Sequence, residues 1–90
     1  MNNKAKIKML RDMKPHIGIQ KLGEHKGNYF GFCDILKFHF GVRHTMVEKK
    51  LDLLGLKRPK NAGLFWYPEN KRGTATRIRK INQAIKRLQK

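Results

Sequence analysis

Carboxylates are what this chain has least of: its 90 residues hold six Asp and Glu against 22 Lys and Arg, a formal net charge of +16. Acid/base pairs, two-metal centres and calcium loops all need clustered Asp and Glu, so this inventory disfavours most enzyme classes, nucleases included. Cysteine is nearly absent as well. Cys33 stands alone, which excludes an intramolecular disulfide and a Cys-rich zinc module and fits a reducing cytoplasm. Long apolar runs are missing. The longest, Tyr29 to Cys33 and Gly63 to Tyr67, fall far short of the ~20 residues that span a bilayer. The basic N-terminal stretch MNNKAKIKMLRDMK has no apolar segment behind it of the kind a secretory signal needs. Neither G-x-G-x-x-G nor G-x-x-x-x-G-K-[ST] occurs, so the glycines from Gly18 to Gly31 do not form a phosphate-cradling loop of those types.

What is present is a core's worth of apolar residues under a dense positive charge. Apolar residues make up 39% of the chain, too many for a disordered polycation, and the length suits one domain. Successive thirds carry +5, +4 and +7, so no single tail explains the charge. A compact body this basic repels itself, and a regularly spaced polyanion such as nucleic acid is the natural remedy.

Helical spacing of Ala5, Met9, Leu10 and Met13 predicts a first helix over 5–14, closed by Pro15. From His16 to Gly31 the chain reads as a loop with one short ordered piece near Ile17 and Ile19. Phe32, Ile35, Leu36, Phe38 and Phe40 then predict a helix stopped by Gly41, and Val47, Leu51 and Leu54 predict another stopped by Gly55. Leu56 to Pro59 and Leu64 to Pro68, joined by Lys60 to Gly63, suggest a β-hairpin. Thr74 to Lys90 reads as a basic amphipathic helix, with Gly73 breaking the chain before it and Thr74 as its N-cap. Its stripe of Ala75, Ile78, Ile81, Ile85 and Leu88 suits closure of the core, a homodimer face or a membrane-surface helix, in that order.

Leu36 and Phe40, the Gly41-Val42 turn, then Thr45, Val47, Leu51 and Leu54, with Gly55-Leu56 leading into the hairpin, resemble a winged helix-turn-helix DNA-binding domain. The spacing is most similar to the GntR-like arrangement of bacterial repressors and covers about residues 32–68. Lys37 in place of a small residue, Arg43 in place of a Ser or Thr cap, and a short wing depart from that pattern. The resemblance implies an α+β fold: a helix-turn-helix over about 32–54, a β-hairpin wing over about 56–68, and the basic helix over about 74–90. It further implies that Arg43, His44, Thr45, Glu48 and Lys49 face a major groove, where such side chains read base edges or clamp phosphates. Lys57, Arg58, Lys60 and Asn61 on the wing would hold the backbone and fix register.

On the last helix, Arg77, Arg79, Lys80, Lys86 and Arg87 form the basic face expected to flank the nucleic acid. Phe65, Trp66 and Tyr67 suit the core better than base stacking. His16, His25, His39 and His44 with Cys33 match no zinc-ligand spacing, and no metal, cofactor or small-molecule effector is expected. The expectation is a non-enzymatic protein, cytoplasmic and nucleoid-associated, that acts by occupying duplex DNA as a small transcriptional regulator. Its small size and lack of an effector domain also suit an accessory factor of a phage or mobile element. Two alternatives stand beside it: a structural RNA-binding protein of a ribonucleoprotein particle, and a basic module that binds an acidic host protein or nucleoprotein complex.

Overall fold

A computed structural model of the chain describes residues 2–19, 23–24, 26–27, 29–56 and 71–90. Helix α1 spans Asn3–Met13, with the Asn2 side chain accepting a 2.8 Å hydrogen bond from the Ala5 amide at its start. Leu10 and Met13 point into the core. Pro15 cannot donate to an α-helical ladder, and the chain tightens into a 3-10 turn at Lys14–His16. Strand β1 (Gly18–Ile19) pairs antiparallel with β2 (Tyr29–Phe30), setting Gly18 opposite Phe30 and Ile19 opposite Tyr29.

Helix α2 (Phe32–Phe38) begins where the Asp34 carboxylate accepts from the Gly31 amide at 3.3 Å, and it buries Phe32, Cys33, Ile35 and Leu36. Gly41, at φ +66°, turns the chain so that the Val42 amide reaches the Leu36 carbonyl at 2.8 Å. A 3-10 turn at His44–Met46 leads into α3 (Val47–Leu53), held down by Val47, Leu51 and the following Leu54. Gly55 closes it at φ +75°: its amide bonds the Asp52 carbonyl and the Leu56 amide bonds that of Leu51, the paired pattern of a glycine-terminated helix.

Helix α4 (Lys71–Leu88) lies against α1 in the opposite direction. Asn3 Nδ2 reaches the Leu88 carbonyl at 3.4 Å and Lys14 Nζ reaches Asn82 Oδ1 at 2.9 Å. Ile81, Ala84 and Ile85 complete one core with the buried residues of α1, α2 and α3, and Ile78 and Leu88 pack at its edge. Most of the apolar stripe of the last helix is thus spent on the chain's own core, but Ala75, expected on that stripe, is exposed. Near its start Thr74 lies over β1, where a Cβ on Gly18 would come within 3.3 Å of Thr74 Cγ2. Among the described residues no helix is long and apolar enough to cross a membrane.

Several expectations need correction. The protein is a mostly helical globule, not an α+β winged helix-turn-helix. Its described strand content is one pair two residues long, and that pair precedes α2 instead of following α3. Leu56, expected to open the wing, instead ends α3: it is buried and its amide is committed to Leu51. The rest of the wing, 57–68, lies outside the described residues. Gly73 does not break the chain and Thr74 does not cap a helix, because α4 already runs from Lys71. One interior glycine costs only about 1 kcal/mol in a helix, less than the neighbouring turns contribute. Phe38, placed with the apolar face of α2, is 60% exposed on the last turn before the chain bends away.

Leu51→Ala is expected to lower stability by about 2–5 kcal/mol through the cavity it leaves, and Gly41→Ala by about 1–2 kcal/mol through backbone strain alone, since nothing lies within 4 Å of the added Cβ. Urea unfolding of the two variants measures both losses, and equal losses would contradict this account.

Candidate nucleic-acid interface

Arg43 leaves the Gly41 turn in an extended conformation, which aims the next residues outward before α3 begins. Arg43, His44, Thr45, Glu48 and Lys49 are all exposed, as is Met46 between them. Val47 and Leu51, at helical spacing on the opposite side, seat the segment on the core. The structure therefore presents the five residues expected to face a groove on one short, anchored element. Around them the charge is nearly balanced: residues 29–56 hold four Lys and Arg, with Asp34, Glu48 and Asp52 against them.

The basic face of α4 divides. Arg79, Lys86 and Arg87 are not buried, and Lys80 is half-buried. Arg77 is only 8% exposed, so it does not belong to an outward face. It precedes Ile81 by one helical turn and so falls on the stripe that α4 turns inward. Arg87 has a structural partner as well: its guanidinium donates to the Gly55 carbonyl at 3.0 Å, placing a cation at the negative end of α3. Lys80, Gln83 and Arg87 line a cleft of about 270 Å³ with Gly55 and Leu56. Lys57, Arg58, Lys60 and Asn61, together with Phe65, Trp66 and Tyr67, lie outside the described residues.

Comparison with protein-family models, with curated proteins and with solved structures returns no match. What the surface can do must therefore be argued from its own chemistry.

Sequence spacing left out the cations of α1. Lys4, Lys8 and Arg11 are exposed along one side of that helix, and they line an open groove that reaches Gln89 beyond the end of α4. Their regular i, i+4, i+7 spacing is visible in the sequence. Their nearness to α4, some 70 residues further on, is not. Among the described residues no three His, Cys, Asp or Glu side chains converge. Instead His16 and His39 stack with ring centroids 4.2 Å apart, tying the turn after α1 to the end of α2, with the Phe30 ring edge-on to His39. Burial, and then the positive charge His16 can carry, hold His39 below its ordinary pKa of 6.5.

The unfolded chain accepts that proton before the folded one does, so His39's contribution is intact above pH 6.5 and is lost as the pH falls through 6.5 toward the folded value. Urea midpoints are expected to drop between pH 7.5 and 5.5. His16→Asn should move the His39 titration upward in an NMR experiment without restoring it fully, because burial is the larger cause. A stability profile flat across that range would remove the histidine pair from the account.

Proposed function

We propose that the protein binds nucleic acid, duplex DNA first, and acts by occupancy without chemistry of its own. The observation that carries this reading is the exposed run from Arg43 to Lys49, fixed from beneath by Val47 and Leu51 on a chain of net charge +16. Arg43 and Lys49 suit guanine edges or phosphates, His44 and Thr45 suit base edges or phosphates, and Glu48 suits cytosine N4–H. On DNA such a protein blocks, recruits or shapes, which fits a small regulator or an accessory factor of a phage or mobile element. Structured RNA is the second reading, favoured by the cations of α1 and α4, which extend well beyond the Arg43–Lys49 element.

A competition between duplex DNA, an RNA hairpin and single strands at physiological salt tests the choice, and preference for the hairpin would move the assignment to RNA. Duplex affinity is expected to fall by about 10³–10⁵ between 50 and 200 mM salt if roughly 6–10 phosphates are contacted. A salt-independent affinity would refute phosphate-driven binding. In a selection from randomised duplexes, Arg43→Ala or Lys49→Ala should relax the sequence preference by about 1–3 kcal/mol per contacted base pair. An unchanged preference would take base reading away from this segment.

A further inference from the structure

The charge is not shared evenly between the two helix pairs. Residues 3–14 and 71–90, which make up α1, α4 and their ends, hold 13 of the 22 Lys and Arg, and the only carboxylate side chain among them is Asp12. Residues 29–56, which contain the proposed reading segment, have a formal net charge of +1. Folding lays the N-terminal helix beside the C-terminal one, so cations from the two ends of the chain become neighbours.

We infer that the outward face of the α1–α4 pair is the protein's principal phosphate-binding surface, with Lys4, Lys8 and Arg11 on α1, Arg79 and Lys86 along α4 and Lys90 just beyond its end taking the sugar-phosphate backbone. This inference rests on the nucleic-acid reading above and assigns its main source of affinity to a surface separate from the Arg43–Lys49 segment.

Several features support it. All six side chains are exposed, and Lys4, Lys8 and Arg11 on α1 and Arg79 and Lys86 on α4 recur at helical spacing. Arg79 to Lys86 covers ~10 Å of α4 at the helical rise, a span of successive phosphates along one strand. The ridge is also braced, by the Lys14–Asn82 and Asn3–Leu88 hydrogen bonds and by the burial of Leu10, Met13, Ile81, Ala84 and Ile85 between the helices and the rest of the core. That burial argues for the partner's chemistry. A helix that settles into a bilayer surface needs an apolar face to insert, and α4 has already committed its own. A polyanion needs only the cations. Finally, Lys8 pairs with Asp12 at 2.8 Å, but both are exposed, and a pair of that kind is weak enough to be exchanged for a phosphate.

Phosphodiester backbone is common to DNA and RNA, so the test uses both: a duplex of about 24 bp and an RNA hairpin, followed by fluorescence anisotropy over a range of salt. Two double variants remove cations from the ridge, Lys4→Gln with Arg11→Gln and Arg79→Gln with Lys86→Gln. A control, Lys26→Gln with Lys37→Gln, removes the same charge elsewhere. Each ridge variant is expected to lose about 10-fold or more in affinity for every duplex sequence, with the salt slope shallower by roughly 0.9 for each phosphate that is no longer neutralised. The control should lose less than about 3-fold. The exchange Lys4→Arg with Arg11→Lys should stay within about 2-fold of the parent, which separates loss of charge from damage to α1. A matching loss on the hairpin alone, with duplex unaffected, would place RNA on the ridge. Ridge variants that bind like the control overturn the assignment and leave the nucleic-acid reading standing. If the parent protein binds neither probe, both fall.

Discussion

One small apolar core governs the rest of this structure. Leu10 and Met13 of α1, Phe32, Ile35 and Leu36 of α2, Val47 and Leu51 of α3, and Ile81, Ala84 and Ile85 of α4 meet in a single cluster. In a chain of this size little apolar surface is to spare, and each helix turns most of its apolar residues inward, with Phe38 and Leu53 left exposed. A helix with its stripe buried places most of its lysines and arginines outward, with Arg77 of α4 the exception. The fold and the charged surface are therefore two results of the same requirement.

That requirement also sets what each helix can still do. The stripe of α4, equally suited in isolation to a dimer face or a membrane surface, is consumed by the core. What α4 offers outside is cationic. The segment from Arg43 to Lys49 differs: it is exposed because the Gly41 turn and the 3-10 turn before α3 swing it away from the core, and carboxylates temper its charge. The protein thus separates a strongly cationic ridge from a nearly neutral, chemically varied edge. In nucleic-acid recognition these two kinds of surface answer different needs, affinity from phosphates and preference from base edges.

Much of the local structure is legible in the residues. Val47, Leu51 and Leu54 at spacings of four and three predict a helix with that buried face, and Gly41 and Gly55 predict where α2 and α3 stop; both adopt positive φ. Pro15 likewise marks the end of α1. A wing opening at Leu56 is a natural reading because an apolar residue followed by turn-forming ones looks like a strand start, whereas the Leu56 amide is used to finish a helix. Charge alone suggests an outward Arg77, while its position one turn before Ile81 puts it on the inward stripe. Phe38 departs in the opposite sense: it is 60% exposed, with its ring stacked on that of Phe30.

By itself, then, the sequence determined where the four helices fall, that Pro15 and Gly55 close α1 and α3, and that the chain is strongly cationic. These properties follow from local backbone preference and from composition, which do not depend on what the chain packs against. Tertiary structure decided which helix faces are free and which charges are neighbours. It laid α1, with Lys4, Lys8 and Arg11, beside α4, took Arg77 inside and used Arg87 to cap α3. Burial and proximity are properties of packing between segments tens of residues apart, and no local spacing rule encodes them.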